Sequence, residues 1–321
     1  MPTDIEKRLK IADQALAHVA KALPYGAPNR YPIDEIQQAF HAQMQLYFCN
    51  EHTSQLVVNG RLNKTAVLLL PVPQKINILN NFITRFSTQV TANPILHSEA
   101  AKLRIPILVA AYLMNTLTSY EKIRSLPDIS QHVARYQLFG VGNCEAHAMV
   151  TFAHILKTYA EDPKFKNLIT PIGLRILKKI RANGLLDEEN NHLLVYIGLG
   201  ENMIYIDPYL GRAFKAQDLN QNLLPGFEKG ANLDIQSSGF LATYHWKGGD
   251  RCPISSVEPS IAPGVVSGWI TSISDALTLP RKPALPIVPA LNLNTDNSSD
   301  SSGTGSNAHS NTNVITNTFV K

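Results

Sequence analysis

Residues 139 to 156, FGVGNCEAHAMVTFAHIL, place one of only three cysteines directly after Gly-Val-Gly-Asn and before a helix-forming run. Cys144 is therefore expected at or next to a helix N-terminus. The partial positive charge and free amides of such an end favour thiolate over thiol, and the same amides can line an oxyanion hole. A nucleophilic cysteine also needs a base, and the base needs a group to orient it. HLLVYIGLGENMIYIDP, residues 192–208, reads as a β-hairpin with a glycine-containing turn. A turn centred between Leu199 and Gly200 sets His192 opposite Asp207, with Cβ atoms roughly 4.5–5.5 Å apart. A one-residue slip in that register would send the two side chains to opposite faces.

The order Cys144, His192, Asp207 resembles the transglutaminase-like branch of the papain-like cysteine enzymes. The resemblance is carried by GNCEAHA around Cys144, HLLVYI from His192 and IYIDPYLG around Asp207, within residues 135 to 215. It implies a catalytic triad of these three residues, a cysteine helix packed on an antiparallel sheet, and acyl transfer through a thioester. It also implies an oxyanion donor just before the nucleophile, for which Gln137 and Asn143 are the candidates; the residue after the nucleophile is Glu145 rather than an aromatic. Tyr196 and Tyr205 share the triad face of the expected hairpin, placed either to wall a substrate cleft or to pack on the core. Nothing matches the calcium-binding loops of animal transglutaminases.

Positioning these residues falls to the surrounding elements. Ile5, Leu9, Ala12, Leu16, Val19 and Leu23 recur at helical spacing, and Thr3 with Glu6 has the capping-box pattern. Further helices are expected over YPIDEIQQAFHAQMQLYF, QKINILNNFITRFSTQV, and Ser98 to about Leu126 with a bend at Pro106. GFLATYHWKGG, 239–249, reads as another strand. The fold class is α+β: a helical N-terminal region over 1–126, a transglutaminase-like core over 127–260, a Pro-rich segment over 261–291, and a Ser/Asn/Thr-rich tail over 292–321 too polar to order.

The 321 residues carry 29 basic and 25 acidic side chains without long basic runs, against a nucleic-acid surface. The longest apolar run, 105–117, is too short to span a bilayer. Cys49, Cys144 and Cys252 are odd in number and far apart, which points to a reducing, cytoplasmic compartment. Cys49 and Cys252 read as structural. His147 and His154 lie on the cysteine helix without further ligands at metal spacing, so a structural role is expected and no metal or cofactor is implied. No nucleotide-binding glycine pattern occurs.

The expected function is a cysteine acyl transferase or hydrolase acting on protein substrates, at glutamine side chains or peptide bonds. Transglutaminase, deamidase and protease outcomes all remain open. The N-terminus lacks a secretory signal peptide's apolar stretch. With its helical accessory region and polar tail, the chain is similar in style to bacterial effectors delivered into a host cell, where the helical region would bind a host protein. The alternatives are a catalytically silent binding module, and an amidase or N-acyltransferase acting on a small molecule.

Overall fold

The computed structural model describes residues 3–31, 34–51, 57–58, 61–62, 70–90, 93–117, 126–180, 186–222, 233–236, 245–248, 252, 254–257 and 261–278. The expected tail over 292–321 lies outside these residues, as do 279–291 and most of 239–249. Met1–Ala284 form one compact unit.

The fold is α+β. Helix α1, Asp4–Ala22, opens with the expected capping box: the Glu6 amide donates to the Thr3 hydroxyl, and the Thr3 amide to the Glu6 carboxylate at 2.6 Å. Helices α2, Glu35–Glu51, and α3, Val72–Val90, follow where helices were expected; of the helix expected from Ser98 to about Leu126, α4 spans Glu99–Leu117 with Pro106 inside it, and 118–125 lie outside the described residues. A short hairpin of β1, Val57–Val58, and β2, Arg61–Leu62, separates α2 from α3. Helix α5, Leu126–Phe139, leads into α6, Cys144–Tyr159, and α7, Pro163–Ile169.

The main sheet is antiparallel. Its strands are β3, Ile172–Ile180, β4, Leu186–Ile197, β5, Ile204–Asp207, β6, Arg212–Lys215, and β7, Leu233–Gln236, in the order β6-β5-β4-β3-β7. Strand β8, His245–Trp246, pairs with the start of β3 inside the expected strand. One face, including Leu174, Val195, Ile197, Ile204 and Ile206, joins the helices in a continuous core. The other holds a smaller cluster that includes Leu177, Leu194, Tyr196, Tyr205 and Phe214.

Helix α6 is central. It packs on α1, α5, β3 and β4, and Ala146, Met149, Val150, Phe152, Ala153, Ile155 and Leu156 are all buried. A helix apolar on nearly every side belongs in a core, so its N-terminus is carried by the best-packed element near the sheet. The segment read as Pro-rich begins differently than expected. Residues Pro263–Thr278 form a helix, α8, which buries Val266, Trp269, Ile270, Ile273 and Leu277 against α3, α4 and α5.

Candidate active site

Cys144 is the first residue of α6, as the sequence led one to expect, and its thiol is free and partly exposed. Asn143 caps the helix: its Oδ1 accepts from the Ala146 amide at 3.2 Å, and its carbonyl accepts from the His147 amide at 3.1 Å and from His147 Nδ1 at 2.8 Å. Two glycines make the approach to this cap possible. Gly140 holds φ at +64°, where L side chains are strained, and a Cβ on Gly142 would fall 2.1 Å from that of Ala146. The turn is clamped from outside as well. The Tyr25 amide donates to Gly140 O and the Gly142 amide to Gly26 O, each at 3.0 Å, in the loop that leaves α1.

The hairpin register differs from the expected one. Val195 faces Ile206, Tyr196 faces Tyr205 and Ile197 faces Ile204, so the turn centres between Gly200 and Glu201 and Leu194 stands in line with Asp207. The cause is the 3-10 turn Gly200–Asn202, which lengthens the connection beyond the tight loop the glycines suggested. The displacement is two residues rather than one, so His192 and Asp207 keep a common face as diagonal neighbours. Long side chains bridge that diagonal.

His192 Nε2 lies 3.0 Å from Asp207 Oδ2, and both side chains are buried. The approach is short in distance but off the hydrogen-bond line, so Nε2 has no aligned acceptor in this pose. Asp207 is fixed from its other oxygen, Oδ1, which accepts from the Leu210 amide at 3.0 Å across the turn closing β5. Cys144 is near enough to act on the His192 imidazole through charge and hydrogen bonding. Burial alone would depress this imidazole; hydrogen bonding to Asp207 and Cys144, with the charges on both, outweighs it and raises the imidazole to about 9. A protonated imidazole beside a thiol is the partner that a thiolate needs.

The other expected site residues are placed elsewhere. Gln137 is exposed on α5 and lines a surface cavity of about 530 Å³ with His18, Tyr25, Gly140, Val266 and Ile270, a cavity that includes none of Cys144, His192 and Asp207. Asn143, exposed beside Cys144, uses its Oδ1 and backbone carbonyl as acceptors in the cap, and neither contact occupies its Nδ2 donor. Tyr196 and Tyr205 face each other with buried rings rather than walling a cleft; Arg175 Nη1 donates to the Tyr205 hydroxyl at 2.9 Å, and the Tyr196 hydroxyl pairs with His245. His147 is buried one turn along α6, and burial depresses its imidazole. His154 stacks on His18. Cys252 packs partly buried against the core, and the Cys49 side chain lies outside the described residues. Glu145 is lifted above the usual carboxylate range by burial, against the pull of Arg135.

Two residues at the site had no signal of their own in the sequence. Tyr209, in the turn after Asp207, sets its ring edge-on to His192 and His147, with centroids at 5.7 and 5.9 Å. The Arg30 guanidinium, from the 3-10 turn Pro28–Arg30, lies 4.5 Å from the Tyr209 ring centroid. Their proximity arises from tertiary folding between chain segments nearly 180 residues apart, which no local pattern encodes.

Among the described residues no cluster of three or more His, Cys, Asp or Glu is arranged to hold a metal, and no helix is long and apolar enough to cross a membrane. The chain is thus an α+β protein in which a cysteine opens a central helix and a buried histidine and aspartate pair on the sheet. Comparison with protein-family models, with curated proteins and with solved structures found no match to it.

Proposed function

We propose that this protein is a cysteine-dependent acyl-transfer enzyme of the transglutaminase-like, papain-like kind, with Cys144 as nucleophile, His192 as base and acid, and Asp207 orienting the imidazole. The observation that carries the reading is the buried pair of His192 and Asp207, 3.0 Å apart, with Cys144 near enough to act on the imidazole. Cys144 as nucleophile, His192 as base and Asp207 as orienting group would supply the three roles that thiol catalysis needs. The thiolate attacks a carbonyl, His192 protonates the leaving nitrogen, and a thioester remains. Water then completes hydrolysis or deamidation, and an amine completes transamidation.

A protein substrate is favoured by the surroundings of the thiol, which is partly exposed and lies next to exposed Asn143, with exposed Arg30 flanking Tyr209. Glutamine side chains and peptide bonds are the acyl donors consistent with that setting. The test is incubation of wild type and Cys144→Ala with glutamine-containing peptides and hydroxylamine, read by mass spectrometry. Conversion to hydroxamate or acid by the wild type alone supports the reading. Identical products from both proteins, or none from either, count against it.

A further inference from the structure

The triad itself holds no donor for the oxyanion, and Gln137 lines a cavity that includes none of its three residues. Asn143 takes up the amides of Ala146 and His147, which leaves those of Cys144 and Glu145 at the open end of α6. One further donor beside the thiol is what acyl-transfer chemistry requires.

We propose that Tyr209, whose ring packs edge-on against His192, is that donor: its hydroxyl hydrogen-bonds the carbonyl oxygen of the acyl donor as it becomes an anion. The assignment rests on the acyl-transfer reading of Cys144 and deepens it. Tyr209 sits inside the turn that Asp207 closes through the Leu210 amide at 3.0 Å, so one carboxylate fixes both the imidazole and the phenol-bearing turn. Its ring is held by edge contacts to His192 and His147 and by the Arg30 guanidinium over its face. The residue is only partly buried, so a substrate can reach it. Its hydroxyl is weakly engaged: the contact to Asn29 Oδ1 is 3.5 Å, long against the usual O–H···O distance of about 2.7–2.8 Å. Burial, opposed by Arg30, lifts the phenol above its ordinary value, so it remains a donor across the working pH range. A cation behind a phenol also strengthens the hydrogen bond it gives to an anion.

The step balances. The thiolate sulfur bonds to the carbonyl carbon, and the C=O π pair moves onto the oxygen facing Tyr209. When that pair returns, the C–N bond breaks and the His192 imidazolium gives its proton to the departing nitrogen, leaving a thioester and a neutral amine. Water, losing a proton to His192, then attacks the thioester through the same oxyanion and releases the acid and Cys144.

The experiment compares two reactions of Cys144 in full-length protein. Iodoacetamide alkylation passes through no oxyanion, whereas acylation by p-nitrophenyl acetate does. Tyr209→Phe, which keeps the ring and its packing, is expected to slow the p-nitrophenolate burst by about 100- to 1,000-fold while alkylation stays within about twofold of wild type. Asn29→Ala, which removes the long contact but keeps the hydroxyl, is expected to retain the wild-type burst. An unchanged burst in Tyr209→Phe overturns the assignment. A parallel loss of burst and alkylation, or an equal loss in Asn29→Ala, assigns Tyr209 to positioning instead and overturns it as well. A wild type with no Cys144-dependent burst overturns the acyl-transfer reading, and this inference with it.

Discussion

Replacing Gly142 by alanine tests whether the turn before Cys144 sets the position of the thiol. The added methyl would fall 2.1 Å from the Ala146 Cβ, whereas non-bonded carbons settle about 3.5–4.0 Å apart, so the two must separate by about 1.5 Å or more. Ala146 has little room to yield alone, because it is fully buried and its amide is held by the Asn143 cap. The movement therefore falls on the first turn of α6, which carries Cys144. Overpacking of this kind costs about 1–3 kcal/mol, and misplacing a reacting atom by about 1 Å can cost about 100-fold in rate. Urea unfolding and the rate of Cys144 alkylation at neutral pH measure the two effects separately. Gly268→Ala is the control: it sits inside α8 with nothing within 4 Å of the added methyl, and is expected to match wild type or gain up to about 1 kcal/mol. A Gly142→Ala protein as stable and as reactive as wild type would refute the argument.

Three other predictions follow from buried polar groups. His18 and His154 stack at 3.9 Å, and burial holds both below 6.5, His154 at about 4, with Lys21 and Lys157 adding to the effect on His18. The unfolded chain binds protons that the folded chain refuses, so stability present above pH 6.5 is lost as pH falls toward about 4, and His154→Phe should flatten that loss in urea titrations. His192 has the opposite sign: its pKa is raised from 6.5 to about 9, so its contribution is complete below pH 6.5 and disappears as pH rises through about 9, a loss that Asp207→Asn should diminish. Arg8 ties α1 to α7 and to the turn between β4 and β5 by donating Nε to Leu168 O at 2.8 Å and Nη1 to Asn202 O at 2.6 Å; Arg8→Met should cost about 2–4 kcal/mol in urea unfolding, and a loss under about 0.5 kcal/mol would sink this account of the anchor.

What was legible in the sequence is local. The capping box of α1, the strands flanking Gly200 and the cysteine at the mouth of α6 each follow from patterns within a few residues. Strand β3 was not, because it is covered on both faces: Leu174 joins the main core and Leu177 the smaller cluster, which erases the alternation that marks a half-exposed strand. Helix α8 was hidden by its composition. Two glycines, several β-branched residues and nearby prolines argue against helix, and the helix is made by burying Val266, Trp269, Ile270 and Ile273 along one stripe. At the site, face was legible and register was not, since a turn's length changes pairing by whole residues while parity decides which side chains can meet. Tyr209 and Arg30 meet only through the tertiary fold.

The most direct test of the central claim is the pH dependence of Cys144 alkylation by iodoacetamide, with His192→Ala alongside. A His192 imidazole held protonated to about 9 beside the thiol predicts rapid labelling well below pH 8, and a marked slowing at those pH values in the His192 variant. Labelling that is slow near neutrality, rises only in the range of an ordinary thiol and is indifferent to His192 would contradict the account.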